Sequence, residues 1–226
     1  MSLPAIPPDA PLRVVGDVHG DRAGFQAALA TDRFVIQLGD LVDGGSDPAS
    51  CLTLALDMVA AGRGLFLLGN HDFKLVRALR GQGTPAEGEL RRSLDALDAD
   101  LADRVRTAIE QAPAWLRRGE AFFVHGGFHP AMLTMPPPQF PASRPDRLLA
   151  RALYGQPTGR TFGGGKPERA LAWIDRIPRG LTVYCGHDQR STDGRPRAIE
   201  GVGGGRAVFV DTGAGKGGHL SWIDLP

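Results

Sequence analysis

One pattern, repeated six times, constrains this chain more than any other feature: a short apolar run ends at a glycine beside a polar residue. Residues 12–15 lead into Gly16-Asp17, 34–38 into Gly39-Asp40 and 65–68 into Gly69-Asn70. Residues 122–124 lead into His125-Gly126, 181–185 into Gly186-His187 and 208–210 into Asp211-Thr212-Gly213. Runs this short, rich in β-branched and aliphatic residues and bounded by glycine, read as buried strands. The polar groups then emerge at the carboxyl ends of the strands, where open α/β sheets place their sites. Glycine there lets the backbone turn sharply and approach a ligand.

Helical periodicity fills the gaps. Residues 21–30, 47–61 and 74–80 read as helices, and 89–111 as one long helix. In the last, Leu90, Leu94, Leu97, Leu101, Val105 and Ile109 form a single apolar stripe. Alternating strand and helix predicts an α/β fold, with a helical insert around 74–115 placed to border the site. Pro136-Pro137-Pro138 marks a loop. The triplets Gly163-Gly164-Gly165 and Gly203-Gly204-Gly205 mark turns and lack the lysine and hydroxyl of a phosphate-binding P-loop.

The 226 residues suit one domain over 12–226, with a proline-rich, disordered lead-in over 1–11. That lead-in has no signal-peptide pattern, and no apolar run approaches a membrane span. With 26 basic and 25 acidic residues, no global field draws in nucleic acid, so no stable nucleic-acid complex is expected. Cys51 and Cys185 show no metal-type spacing and read as buried free thiols, which suits a cytoplasmic setting.

Four of the six histidines, His19, His71, His125 and His187, sit just past a strand. With Asp17, Asp40 and Asn70 they offer imidazole, carboxylate and amide donors, a set suited to manganese, iron or zinc rather than calcium. In Asp17-Val18-His19 the period of two of an extended segment puts both donors on one side. His129 and His219 fall outside these contexts and read as structural.

Gly16-Asp17-Val18-His19-Gly20, Gly39-Asp40-Leu41-Val42-Asp43-Gly44-Gly45, Gly69-Asn70-His71-Asp72, His125-Gly126-Gly127 and Gly186-His187 resemble the five ordered motifs of calcineurin-like metallophosphoesterases. Within that superfamily the chain resembles the bacterial phosphoprotein-phosphatase-type branch. A closer likeness, through 69–80, 153–159 and 211–220, is to the phosphatase module of bacterial polynucleotide kinase-phosphatases. The resemblance implies two packed mixed β-sheets flanked by helices. It also implies two divalent metal ions, manganese foremost, with iron, zinc or nickel also tolerated. Asp17 and His19 would hold the first ion, Asp40 would bridge, and Asn70, His125 and His187 would hold the second. His71, paired with Asp43, would be the general acid. Gln189 stands where most of the superfamily has a further histidine, which agrees with the branch assignment.

One departure bears on substrate binding. The family's second motif carries a phosphate-gripping arginine where this chain has Gly44. Lys74, Arg77, Arg160 and Arg190 are the candidate replacements, with Asn70 also facing substrate. The expected activity is hydrolysis of phosphate monoesters by a water activated between the ions. The substrate would be a phosphoprotein, a nucleotide or a nucleic-acid end. The alternatives are symmetrical dinucleoside-tetraphosphate hydrolysis and a metal-binding interaction scaffold.

Overall fold

The computed structural model describes residues 5–83, 85–141, 144–161, 167–191 and 193–226, so the Gly163–165 triplet lies outside the described residues. The element order is β1 (Leu12–Val15), α1 (Arg22–Leu29), β2 (Phe34–Gln37), α2 (Pro48–Ala60), β3 (Gly64–Phe66), α3 (Asn70–Leu79), α4 (Gly88–Asp95) and α5 (Ala99–Gln111). Then come β4 (Trp115–Arg118), β5 (Ala121–Val124), α6 (Arg147–Tyr154), β6 (Pro157–Thr161), β7 (Pro167–Arg169), β8 (Thr182–Cys185), β9 (Arg197–Glu200), β10 (Arg206–Phe209) and β11 (Trp222–Leu225).

Two mixed sheets form, in the orders β11-β1-β2-β3 and β4-β5-β8-β10-β9, and β6-β7 is a separate ribbon. The inner strands β1-β2-β3 and β5-β8-β10 run parallel, while β11, β4 and β9 pair antiparallel at the edges. The period of two along each strand divides the core. Val14, Ile36, Phe123, Tyr184 and Val208 meet in one buried cluster between the sheets. Their neighbours Val15, Val35, Phe122, Val183 and Phe209 join the larger cluster that takes in the helices. Parallel central strands are thus covered on both faces, which is why their sequences read as continuous apolar runs rather than alternating ones.

The structure departs from the sequence pattern in identifiable places. The helix expected over 89–111 is two helices, because Asp98 leaves helical geometry (φ −76°, ψ 172°) and its side chain caps α5 by accepting from Leu101 N–H. The apolar stripe survives the break: Leu90, Leu94, Leu97 and Leu101 pack against the core, and Val105 and Ile109 are buried in it. Helix α6 and strands β4, β6, β7 and β9 were not read from the sequence. In the proline-rich lead-in, Ile6 and Ala10 pack against the inter-sheet cluster. Both cysteines are buried and free, as expected. Among the described residues no helix is long and apolar enough to cross a membrane.

Phe123 is fully buried between the sheets and stacks on Tyr184, ring centroids 5.6 Å apart. Phe123→Ala is expected to lower unfolding stability by about 3–5 kcal/mol, read from urea denaturation. A loss below ~1 kcal/mol would contradict this packing.

Candidate metal centre

The loops that follow β1, β2, β5 and β8 and the first turn of α3 converge on one buried point. Two groups of potential ligands lie there, Asp17–His19–Asp40 and Asp40–His125–His187, each with its ligand atoms within 4.8 Å of one another, and Asp40 belongs to both. His19 Nε2 is 3.7 Å from Asp17 Oδ2 and 3.7 Å from Asp40 Oδ2. His125 Nε2 is 3.4 Å from Asp40 Oδ2 and 3.0 Å from Asn70 Oδ1. Nitrogen and oxygen donors that share one ion at ~2.1 Å each stand roughly 3–3.6 Å apart, so these separations suit cations placed between them.

Backbone carbonyls decide which ring nitrogen faces inward. His19 Nδ1 is 2.9 Å from Val42 O, and His125 Nδ1 is 2.9 Å from Leu38 O. A carbonyl only accepts, so each Nδ1 is the donor, and in the neutral ring Nε2 is left as a lone pair. This is the orientation that histidine ligands ordinarily need. His187 Nε2 is buried without a hydrogen-bond partner. Lone pairs from two rings, an unpartnered third ring nitrogen, two carboxylates and an amide oxygen thus gather where nothing in the chain neutralises them all. The donor set fits two divalent cations of the manganese, iron or zinc kind.

Electrostatics agree. Burial alone would raise Asp40, but His125, His71 and His19 outweigh it and hold its carboxyl well below the usual range. Burial lowers His125, yet the charges of Asp40 and Asp17 overcome that and carry it up to about 9. Burial, with the nearby charge of His125, holds His187 well below the ordinary value.

This convergence requires unusual backbone. Among the described residues the only non-glycine positions with positive φ are His19 (46°), Asp40 (60°), Asp43 (63°) and His187 (61°), and all four are site residues. Such conformations cost of order 1–3 kcal/mol each and persist where surrounding bonds impose them. Asp72 supplies several of those bonds. Its buried carboxylate accepts from the N–H groups of Asp40 (2.7 Å), Leu41 (3.0 Å) and Gly69 (3.2 Å). Asp40 Oδ1 in turn accepts from His71 N–H at 2.8 Å, and this leaves Oδ2 turned toward the histidines. Both oxygens of Asp17 accept from His187 N–H at 3.0 Å, joining the two sheets' loops. That approach is open only because residue 186 is glycine: a Cβ there would collide with the Asp17 carboxylate.

Beside the cluster, His71 Nδ1 lies 2.7 Å from Asp43 Oδ2, and its Nε2 lies 4.0 Å from Asp40 Oδ2. Ser93 Oγ donates to Asp43 Oδ1 at 2.6 Å. Ser93, on α4 of the helical insert, went unnoticed in the sequence because a serine within an amphipathic helix reads as solvated; here it is 1% exposed. Asp211 caps its own turn by accepting from Gly213 N–H at 2.8 Å.

The cations nominated for phosphate binding are dispersed. Lys74 is exposed on α3, and Arg160 lies on the exposed strand β6. The Arg190 guanidinium is paired with Asp188 at 2.7 Å. Arg77 remains nearer the centre: it lies over the Phe73 ring and has a buried, unpartnered Nε. Burial, with the charge of Asp40, raises the pKa of Tyr154 and Arg77 partly opposes the rise; the Tyr154 ring stands 6.4 Å from that of His187. The sequence reading passed over Lys216, whose Nζ lies 2.8 Å from His19 Nε2. Its only sequence signal is a lysine flanked by glycines just past the last parallel strand.

Two sheets whose strand ends gather a shared carboxylate, three histidines and an adjacent histidine–aspartate pair define a hydrolase of phosphate esters. Residues 10–191 match the calcineurin-like phosphoesterase family, and the chain belongs to that family, whose members are dinuclear-metal-dependent phosphoesterases. It is 25% identical to the asymmetrical bis(5'-nucleosyl)-tetraphosphatase PrpE of Halalkalibacterium halodurans, over 94% of this chain and 89% of that one. It is 26% identical to the symmetrical bis(5'-nucleosyl)-tetraphosphatase of Ralstonia nicotianae, over 100% of this chain and 76% of that one. Its fold resembles a serine/threonine phosphatase from Saccharomyces cerevisiae with TM-score 0.63 and 15% identity, over 96% of this chain and 80% of that one.

Asp72→Ala would strand three buried N–H groups at once, each worth about 1–3 kcal/mol. The expected result is a stability loss of about 3 kcal/mol or more in urea denaturation, together with a reduced manganese stoichiometry. Full manganese uptake at unchanged stability would show that Asp72 does not hold the Asp40 loop.

Proposed function

We propose that this phosphoesterase hydrolyses phosphate monoesters, with two divalent ions at the centre and His71 as general acid. The observation that carries this reading is the juxtaposition of two donor groups sharing Asp40 with the His71–Asp43–Ser93 chain. Asp17, His19 and Asp40 would hold one ion, and Asp40, Asn70, His125 and His187 the other. When bound, the ions activate a water for attack and neutralise charge on the phosphoryl oxygens. Manganese heads the candidates, on the donor types alone.

The chain's own residues supply the proton. Asp43 accepts at Oδ2 from His71 Nδ1–H, and Ser93 fixes the carboxylate from its other side. Burial would raise Asp43, but these two hydrogen bonds outweigh it and hold the carboxyl below its ordinary value. Asp43 therefore stays ionised and holds the His71 ring by its Nδ1. The opposite nitrogen, Nε2, faces the cluster and can deliver a proton to a leaving oxygen. A proton matters most when that oxygen would otherwise depart as an alkoxide, which is the case for serine, threonine or sugar monoesters. Buried free thiols fit a reducing, cytoplasmic compartment.

A second reading has its own support. The relatives described above carry the names of dinucleoside-tetraphosphate hydrolases, so a phosphoanhydride substrate is the alternative. Phosphate anhydrides carry a better leaving group and depend less on the acid. Manganese-reconstituted protein assayed on nitrophenyl phosphate, bis-nitrophenyl phosphate, a phosphopeptide and diadenosine tetraphosphate would separate the two. The monoester reading fails if only the tetraphosphate turns over.

His71→Ala is expected to retain manganese but to lose ~10²–10⁴-fold in kcat on an alkyl monoester, and much less on nitrophenyl phosphate. Ser93→Ala removes one of the hydrogen bonds that hold the Asp43 carboxyl low, so the acid limb of the pH–rate profile should move to higher pH, with a smaller loss of rate. Equal losses on both leaving groups would remove His71 from the acid role.

A further inference from the structure

We propose that Lys216 is the cation that grips the substrate phosphate in this enzyme, delivered by the loop after β10 in place of a side chain at position 44. The inference deepens the phosphoester reading and rests on it. Residue 44 cannot serve. Gly44 has φ 134°, which L side chains rarely adopt, and a Cβ there would press on His19 and on Gly215 O at 3.2–3.3 Å. The space beside His19 is instead filled by backbone. Gly45 N–H donates to His19 O at 2.6 Å, and a Cβ on Gly215 would strike that same oxygen. A close loop-to-loop contact thus replaces a side chain, and the next residue along the packed loop is a lysine.

The amine is placed for an anion. Lys216 N–H donates to Gly213 O at 3.0 Å, and Gly218 N–H to the same oxygen at 2.9 Å, so the root of the side chain is fixed. Gly213, Gly215 and Gly217, all at positive φ, shape this turn. Nζ reaches His19 Nε2 at 2.8 Å while the residue itself remains exposed, and among the described residues no carboxylate pairs with it. A lysine whose amine enters a carboxylate-rich centre with the His19 ring nitrogen as its partner, and whose residue is open to solvent, can turn from that nitrogen to a phosphoryl oxygen. A groove of about 450 Å³, lined by Asp21, Arg22, Gln26, Asp47, Gly215 and Gly217, opens beside the Lys216 turn. Lysine grips phosphate as a point charge rather than through a bidentate fork, so an arginine should substitute well and a neutral residue poorly.

The test uses the full chain reconstituted with manganese, as wild type, Lys216→Gln, Lys216→Ala and Lys216→Arg. Three quantities are read: manganese content, the dissociation constant for inorganic phosphate, and KM and kcat on nitrophenyl phosphate. The expected result is two manganese ions per chain in every variant. Phosphate binding and KM should weaken about ten- to a hundredfold in the Gln and Ala proteins, with substantial recovery in the Arg protein. Phosphate affinity within threefold of wild type in both neutral variants overturns the proposal. So does a loss of manganese that tracks the loss of phosphate, because Lys216 would then be supporting His19. Tighter manganese binding with unchanged phosphate affinity also overturns it, since the amine would then be a competitor for the ion. Wild-type protein that takes up no manganese brings down the underlying reading as well, and that result is visible before any variant is made.

Discussion

The structure turns on the placement of one carboxylate. Asp40 Oδ2 faces His19, His125 and His71 from a single position, while Oδ1 is held by the His71 N–H. An unconstrained aspartate would sample other orientations, so this one has to be imposed. The left-handed backbone at Asp40 and the buried carboxylate of Asp72 together impose it. Strain and burial are local costs, and the surrounding bonds are what make them tolerable. The carbonyl of Asp40 takes part too, accepting from both Val18 N–H and His19 N–H and so tying the first loop to the second.

The same constraint explains where glycine is needed. At Gly69 a Cβ would collide with the Asp40 backbone nitrogen, and at Gly186 with the Asp17 carboxylate. These two positions bring the third loop of one sheet and the third strand's loop of the other within hydrogen-bonding distance of the first. The two sheets are therefore held by more than the apolar layer containing Val14, Ile36, Phe123 and Tyr184. At the carboxyl ends of the strands, polar contacts between loops continue the packing that side chains provide lower down.

Much of this was legible in the sequence, for a physical reason: the donors are polar residues at strand ends, and each strand end is marked by glycine. Asp17, His19, Asp40, Asn70, His125 and His187 could be named from that context, and the structure brings them together. What escaped was relational. Ser93 lies on a helix whose pattern says only that one face is buried, and its partner is 50 residues away. Edge strands β4 and β9 carry arginines and do not resemble the apolar inner strands. The break before α5 hinges on Asp98 as a cap, inside a stripe of leucines that reads as unbroken. Lys216 was overlooked because its meaning depends on Gly44 and Gly215 touching, a contact between segments about 170 residues apart.

These relational features are also where substrate choice can reside. The shared fold extends to a serine/threonine phosphatase at 15% identity, so the fold by itself does not set the substrate. Further contacts surround the buried donor groups. Ser93 couples the helical insert to the Asp43–His71 pair, so a substrate contact that displaces α4 would also change how firmly the His71 ring is held. On the opposite flank the glycine-rich turn around Lys216 sets the position of a positive charge without a side chain at residue 44. Arg77 and Tyr154 stand on the His187 side, and Lys216 stands on the His19 side. Cationic side chains thus stand on both flanks, each carried by an element outside the central strands. Selectivity built this way can change through the insert and the last loop while the strained backbone at Asp40 stays as it is.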